Sequence, residues 1–162
     1  MKLIYSKKNI ISGALIFCIG DTIASIVANE FSVLRVIGIS IIGATIYAFE
    51  IPNVFIWIEK KTPGILNLKK RMFRGFLGTL YFNSLWIARH LLFIQILLFH
   101  WGDINLSLLA IAWNSFIINI PFVLVINYLI QTKITMRWRF IVSSVFSGVM
   151  AVYYAISEQI FG

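Results

Sequence analysis

Residues 33–58 read VLRVIGISIIGATIYAFEIPNVFIWI, and the basic segment EKKTPGILNLKKRMFR follows at residues 59–74. The first stretch contains two charged side chains, Arg35 and Glu50. As an α-helix it would be about 39 Å long at ~1.5 Å per residue, which is enough to cross the ~30 Å hydrocarbon core of a bilayer. A long apolar stretch that ends in a cluster of positive charges predicts a transmembrane helix.

Four further stretches have the same character, so apolar sequence accounts for most of the chain. The five predicted spans are Ile10–Ala28, Val33–Ile58, Gly75–Phe99, Leu106–Ile130 and Phe140–Ile156. The chain is 60% hydrophobic and 12% charged, whereas soluble domains carry about 25% charged residues. We therefore predict an all-α fold, a polytopic transmembrane bundle of five helices that occupies residues 1–162 as a single domain.

The positive charges between the spans fall almost entirely on alternate sides of the predicted membrane. If all five stretches cross, one side receives twelve of the fourteen basic residues, namely Lys2, Lys7, Lys8, Lys60, Lys61, Lys69, Lys70, Arg71, Arg74, Lys133, Arg137 and Arg139. The positive-inside rule then places the N-terminus inside and the C-terminus outside. A four-span alternative stays open, because the third stretch carries Arg89 and His90 near its centre and could be two shorter segments, one of them re-entrant.

Small residues recur every four positions in three of the spans, where they allow helices to approach each other closely in a bilayer. Two of these stripes consist of Ser40, Ala44 and Ala48 in the second stretch, and of Ser143, Ser147, Ala151 and Ala155 in the fifth. We expect both to be helix-packing faces. Such faces can serve contacts within the chain, in a homo-oligomer or with another membrane protein.

Three charged residues, Asp21, Glu50 and Arg89, are predicted to lie at membrane depth, and His90 is next to the last of them. A charge in the middle of a span costs ~2.5–3.5 kcal/mol or more, so it needs a partner, water or a function. Counted from the inner ends of their spans, Asp21 is ~17 Å deep and Arg89 is ~21 Å deep. We therefore expect these two side chains to form a buried ion pair.

Two interpretations of the polar groups stay open. In the first, Asp21 and Arg89 form a structural pair that sets the helix register, and Glu50 reaches towards Lys60. In the second, the polar groups line a path for a small solute or a proton. The predicted lining residues are Asp21, Glu50, Arg89, His90, Asn114, Asn119 and Asn127.

Other classes of function have little support. The basic residues lie next to span ends, which favours attraction to anionic lipid head groups on the inner side over nucleic-acid binding. The chain has no Gly-rich phosphate loop, no His-x-x-x-His pair and no Gly-x-Ser-x-Gly motif. Its one cysteine, Cys18, excludes an intramolecular disulfide and a cysteine-based metal cluster. We predict no enzymatic activity, no cofactor and no metal site.

Several short passages resemble the twenty-two-kilodalton peroxisomal membrane protein family, which also has relatives in the mitochondrial inner membrane. The small-residue start at Ser12-Gly13-Ala14 that leads to Gly20-Asp21 is similar to the first helix of that family. Arg35, Gly43 and the segment from Trp57 to Gly64 resemble its second helix and the following turn.

The second half of the chain continues the resemblance. Lys70-Arg71-Met72 is similar to the start of the next family helix, and Pro121 followed by Asn127-Tyr128 resembles a signature near the family C-terminus. Tyr154-Ala155-Ile156-Ser157 is similar to the closing motif. The chain departs from the family at Arg74-Gly75, where an Asp-Gln pair is usual, and it therefore looks like a divergent member.

The resemblance implies a small multi-pass channel of low selectivity, in which Gly20, Asp21, Arg35, Pro121 and Asn127 are the family-motif positions. A weaker similarity, carried by Asp21-Thr22 and an Arg-led second span, is to bacterial alanine exporters. The predicted function is therefore a channel or permeability pathway for small solutes. The alternatives are a non-transporting scaffold or accessory subunit of a membrane complex, and a proton-coupled exporter of small metabolites. The predicted location is a bacterial cytoplasmic membrane or an organellar membrane.

Overall fold

The computed structural model describes the backbone of residues 3–161, and the side chains of these residues apart from 83–85, 111–112, 115–116 and 153–161. The fold is all-α, which confirms the predicted class. The long helices are α1 (Lys7–Val27), α2 (Val33–Lys60), α3 (Leu68–Leu97), α4 (Ser107–Lys133) and α5 (Met136–Phe161). A short 3₁₀ turn, Trp101–Asp103, lies in the link between α3 and α4.

Three helices, α1, α2 and α3, are long and apolar enough to cross a membrane, and Ile117–Lys133 of α4 is a shorter apolar stretch. These helices indicate an integral membrane protein. The α-helical segment Trp86–Leu97 of α3 contains both Arg89 and His90. The polar side chains at this point therefore do not interrupt the helix.

Local capping explains where two of the helices begin. Ser6 caps α1, because its side-chain oxygen accepts a hydrogen bond from the backbone N–H of Asn9. Asn67 caps α3 in the same way through the N–H of Lys70. This cap lies well before Gly75, where the predicted third span begins, so α3 also includes the basic residues from Lys69 to Arg74.

Two helices contain π-helical segments, at Gly43–Tyr47 of α2 and at Leu80–Leu85 of α3. Such segments are rare and often occur at functional sites. Pro52 lies in α2 soon after the first π segment, and Pro121 lies inside α4. Since proline cannot donate a backbone hydrogen bond, each of these positions leaves the helix one bond short.

The chain divides into two compact units. Unit 1 contains the residues up to Asn53 together with those from Phe140 onward, and unit 2 is Val54–Arg139. In unit 1 the backbones touch at glycines. A Cβ atom on Gly13 would overlap the carbonyl oxygen of Gly43, and one on Gly20 would lie 2.7 Å from the Cα of Gly148.

The predicted small-residue stripes are partly covered in unit 1. Ala48 and Ser143 are buried, whereas Ser40, Ala44, Ser147 and Ala151 are half-buried, and the side chain of Ala155 lies outside the described residues. The tightest backbone contacts come from glycines beside these stripes. This follows from the size of the side chain, because a serine or alanine keeps the Cβ that glycine lacks.

In unit 2 the first half of α3 packs against the second half of α4. Gly75 faces the backbone of Tyr128, with a distance of 3.1 Å between a Cβ built on Gly75 and the Cα of Tyr128. One turn later Gly78 faces the side chains of Asn127 and Gln131. The helix interface therefore brings a glycine face of α3 against amide side chains of α4.

Candidate functional site

A buried ion pair joins α1 to α2 in unit 1. Arg35 Nε donates to Asp21 Oδ2 at 2.9 Å, and another guanidinium nitrogen donates to Asp21 Oδ1 at the same distance. Asp21 is 4% exposed and Arg35 is 5% exposed. Arg35 also donates to Glu30 at 3.1 Å, and the Glu30 side chain is mostly exposed. Two parallel bonds of this kind form the strongest geometry available to an arginine and a carboxylate.

Arg35 is a partner of Asp21 that the comparison of depths did not suggest, since it donates to both carboxylate oxygens of Asp21. The expected pairing of Asp21 with Arg89 stays a prediction. Asp21 is six residues from the end of α1 at Val27, or about 9 Å, and Arg35 is the third residue of α2. The short turn between the helices and the long arginine stem bring the two groups together near the helix ends.

A second polar group lies between α3 and α4 in unit 2. We call Thr79, Asn127 and Gln131 the amide cluster. Asn127 Nδ2 donates to the Val123 carbonyl at 3.1 Å and to Thr79 Oγ1 at 3.4 Å, while the Thr79 hydroxyl donates to the Gly75 carbonyl at 3.0 Å. All three side chains of the amide cluster are buried between α3 and α4.

Gln131 is the least satisfied member of the amide cluster. Its side chain is 0% exposed, and within the part of the chain that the structure describes neither its Oε1 nor its Nε2 has a hydrogen-bond partner. The Nε2 atom lies 3.3 Å from the position that a Cβ on Gly78 would occupy. A buried amide without partners costs ~1–3 kcal/mol, which a bound water or solute molecule can offset.

A third polar group lies closer to the start of α3. We call Glu59, Thr62, Arg74 and Arg139 the arginine cluster. Arg139 donates to Glu59 Oε1 at 2.8 Å, and an Arg74 nitrogen lies 3.7 Å from the same oxygen. Arg74 also donates to the hydroxyl of Thr62 at 2.6 Å and to its carbonyl at 3.2 Å. One carboxylate therefore serves two buried guanidinium groups.

The surroundings of Arg139 act on its charge in opposite directions. Burial away from water lowers the pKa of the Arg139 guanidinium below its ordinary value, the Glu59 carboxylate opposes this effect, and the positive charge of Arg74 adds to it. The nearest polar partner besides Glu59 is the carbonyl of Ile134, which accepts from Arg139 Nε at 2.9 Å.

The remaining predicted path residues lie in different environments. Glu50 is half-buried in unit 1, in the first turn after the π segment of α2. His90 is buried in unit 2 and stacks on Trp86, with ring centroids 4.9 Å apart. In α4, Asn119 is buried and Asn114 is exposed. Of the predicted asparagines, the structure thus assigns Asn127 to the amide cluster.

Arg89 lines an apolar groove at the end of α3 that is remote from the arginine cluster. The groove has a volume of about 480 Å³, and its lining includes Ala88, Leu92, Asn105, Leu106 and Leu109. Among the described residues no group of three or more His, Cys, Asp and Glu side chains could hold a metal ion. The unused amide of Gln131 offers one hydrogen-bond donor group and one acceptor to a polar molecule.

Sequence reasoning did not identify Thr62, Arg74, Thr79 or Gln131 as members of polar clusters. A signal for them was present, because Arg74, Gly75, Gly78 and Thr79 share one face of a helix. A basic residue on a face of small residues points towards a neighbouring helix rather than into the lipid. The signal becomes visible once Asn67 is recognised as the start of α3.

Comparison with known proteins adds no assignment: no protein-family model, no curated protein and no solved structure matches the chain. The resemblance to the twenty-two-kilodalton peroxisomal membrane protein family therefore stays a prediction.

Proposed function

We propose that the chain is a five-span membrane protein with its N-terminus inside, and that it provides a pathway for small polar solutes past the amide cluster of unit 2. The observation that carries this proposal is the buried Gln131 side chain, whose donor and acceptor are both unused among the described residues. A passing solute or water molecule can supply the missing hydrogen bonds.

The shape of the α3–α4 interface supports this role. Gly75 and Gly78 remove side chains from the α3 face, and both amide side chains of the cluster approach Gly78, with Asn127 Oδ1 3.2 Å from a Cβ built there. Amide groups offer donors and acceptors without a net charge, so they can exchange hydrogen bonds with many small polar solutes. Low selectivity follows from this chemistry.

The arginine cluster lies one helical turn from the amide cluster, because Arg74 precedes Gly78 by four residues on α3. Two buried guanidinium groups with one carboxylate give this end of the path a positive potential. A positive potential at a mouth raises the local concentration of anions. We therefore propose that the pathway prefers neutral and anionic solutes to cations.

The test is efflux of small solutes of graded size and charge from proteoliposomes that contain either the natural protein or the Gln131→Leu variant. Leucine fills a similar volume without the amide. We expect efflux to fall by about tenfold, which corresponds to the loss of one hydrogen bond of ~1–1.5 kcal/mol on the path. The unfolding free energy should stay equal or rise by ~1 kcal/mol, since the variant removes an unsatisfied buried group.

The matched control is Asn114→Leu, which removes an exposed amide from the same helix. This variant should leave efflux unchanged. Unchanged efflux from well-folded Gln131→Leu protein would contradict the proposed path, and a fall in stability would show that Gln131 has a structural role instead.

Unit 1 favours a second candidate, a non-transporting accessory subunit. Its buried Asp21 carboxylate is satisfied by Arg35, and its glycines bring helix backbones into contact. These are properties of a rigid structural element. Stable co-purification with a larger membrane complex, combined with absence of solute efflux from the purified protein, would identify this function.

A further inference from the structure

One end of unit 2 collects most of the positive charge of the chain. We call it the basic end: it consists of the end of α2, the start of α3, the end of α4 and the start of α5 up to Arg139. In the sequence of these segments, one acidic residue, Glu59, stands against nine basic residues, namely Lys60, Lys61, Lys69, Lys70, Arg71, Arg74, Lys133, Arg137 and Arg139.

The buried part of the basic end is short of negative charge. Arg74 and Arg139 are 7% and 6% exposed, and both contact the same oxygen of Glu59. The hydrogen bonds of Arg74 to Thr62 and of Arg139 to Ile134 and Glu59 use two of the five donors that each guanidinium carries. A positive charge that is withdrawn from water and only half balanced favours a bound anion.

Arg71 adds a third guanidinium to the same face of α3, three residues before Arg74. Its Nε atom is buried and has no hydrogen-bond partner among the residues that the structure describes. Three guanidinium groups in this arrangement suit a phosphate, whose oxygens accept several charge-assisted hydrogen bonds at once.

The apolar side chains around the cluster indicate that the phosphate belongs to a lipid. Ile65 is 92% exposed and Leu68 is 70% exposed, and both lie immediately before or at the start of α3. Met72 and Phe73 are also exposed in its first turns. A segment with basic side chains on one side and exposed apolar side chains on the other is typical of the interface between head groups and acyl chains.

Two tryptophan side chains also lie at the basic end. Trp57 is partly exposed near the end of α2 and lies under the Lys61 ammonium, with 5.5 Å between Nζ and the ring centroid. Trp138 has a similar contact with Arg137 at 5.4 Å near the start of α5. Tryptophan prefers the membrane–water interface, so both rings place the basic end at the depth of lipid phosphates.

We propose that the basic end of unit 2 is a binding site for the phosphate of an anionic phospholipid, with Arg71, Arg74 and Arg139 as its ligands. Glu59 holds the two innermost guanidinium groups in position and competes with the phosphate for them. This site does not depend on the proposed solute pathway, because it requires only that the helices lie in a membrane.

The experiment uses the full chain in detergent, titrated with phosphatidylglycerol, and counts retained lipids by native mass spectrometry at moderate and high salt. The informative variant is Arg71→Gln, because Arg71 contributes no hydrogen bond to the arginine cluster among those described above. We expect it to weaken phosphatidylglycerol retention by about fivefold. Glu59→Gln should strengthen retention in protein that remains folded, since it removes the competing carboxylate.

The matched control is Arg137→Gln, which makes the same charge change at an exposed position of the basic end. Salt screens exposed charges more than buried ones, so at high salt this variant should retain the lipid like the natural protein. An equal loss in Arg71→Gln and Arg137→Gln would overturn the site in favour of diffuse surface attraction. Equal retention of phosphatidylcholine, or full displacement of the lipid by inorganic phosphate at millimolar concentration, would also overturn it.

Discussion

Asp21 and Arg35 connect two helices through a pair of parallel hydrogen bonds, and the geometry leaves both charged groups almost without contact with water. An isolated charge in this position would be costly, whereas the matched pair satisfies itself. The adjacent Glu30 adds an exposed partner for the same guanidinium. At the scale of the residue, this ion pair holds α1 against α2 in unit 1.

Removal of either partner of this pair should therefore lower the stability of the protein. We expect Asp21→Asn or Arg35→Gln to lower the unfolding free energy by about 3–5 kcal/mol, because each leaves an uncompensated buried charge or amide. The double variant should cost less than the sum of the two single variants. Denaturant unfolding in mild detergent measures these differences.

Glu30→Gln serves as the control for this series, because the Glu30 side chain is 59% exposed. Surface ion pairs contribute ~0–1 kcal/mol. A loss from Glu30→Gln as large as that from Asp21→Asn would show that the buried pair is not the main contributor.

At the scale of the element, the sequence predicts the helices well because each apolar stretch is long and nearly free of charge. Helix α3 is the exception: it begins at Leu68 rather than Gly75, since the Asn67 cap and not the hydropathy decides its start. The Arg35 partner of Asp21 was missed for a related reason. Depth counted along a sequence does not include the turn that returns Arg35 to the level of Asp21.

The polar clusters are harder to predict than the helices. Gln131 looks like a residue near a helix end, and its burial depends on the glycine face of α3 that packs against it. Glu59 and Arg139 are 80 residues apart in sequence and meet through packing. Such contacts follow from how helices are arranged, which no local pattern encodes.

Backbone contact between helices makes a specific prediction for Gly13. A Cβ atom there would overlap the carbonyl oxygen of Gly43, at the first residue of the π segment of α2. Gly13→Ala gains ~1 kcal/mol of helix propensity but forces backbones apart, which costs ~1–3 kcal/mol. We expect a net loss of stability, measured as a lower midpoint of thermal unfolding.

Gly102→Ala is the control for Gly13→Ala, because nothing lies within 4 Å of a Cβ at that position. It should leave the midpoint nearly unchanged. A Gly13→Ala protein as stable as the natural one would mean that α1 and α2 do not pack at this glycine.

At the scale of the whole molecule, three helices suited to crossing a membrane indicate an integral membrane protein, and the distribution of charge supports the proposed orientation. The proposed topology places the loop between α2 and α3 on the same side as the N-terminus, and the link between α3 and α4 on the other side. This arrangement can be tested without knowledge of any substrate.

The topology test starts from a Cys18→Ala protein, which has no other cysteine. Lys61→Cys and Gly102→Cys are then introduced separately and treated in intact cells with a maleimide that cannot cross membranes. We expect labelling of Gly102→Cys and protection of Lys61→Cys until the membrane is opened. The reverse pattern would contradict the orientation, and labelling of both positions would contradict a span between them.

We propose that solutes pass the amide cluster of unit 2, whereas Asp21 in unit 1 is structural. The most direct measurement is solute efflux per folded molecule for Gln131→Leu and Asp21→Asn, side by side in proteoliposomes. We expect a lower efflux per folded molecule for Gln131→Leu, and for Asp21→Asn a smaller folded fraction with unchanged efflux per folded molecule. Altered efflux in Asp21→Asn together with natural efflux in Gln131→Leu would contradict a solute path at the amide cluster.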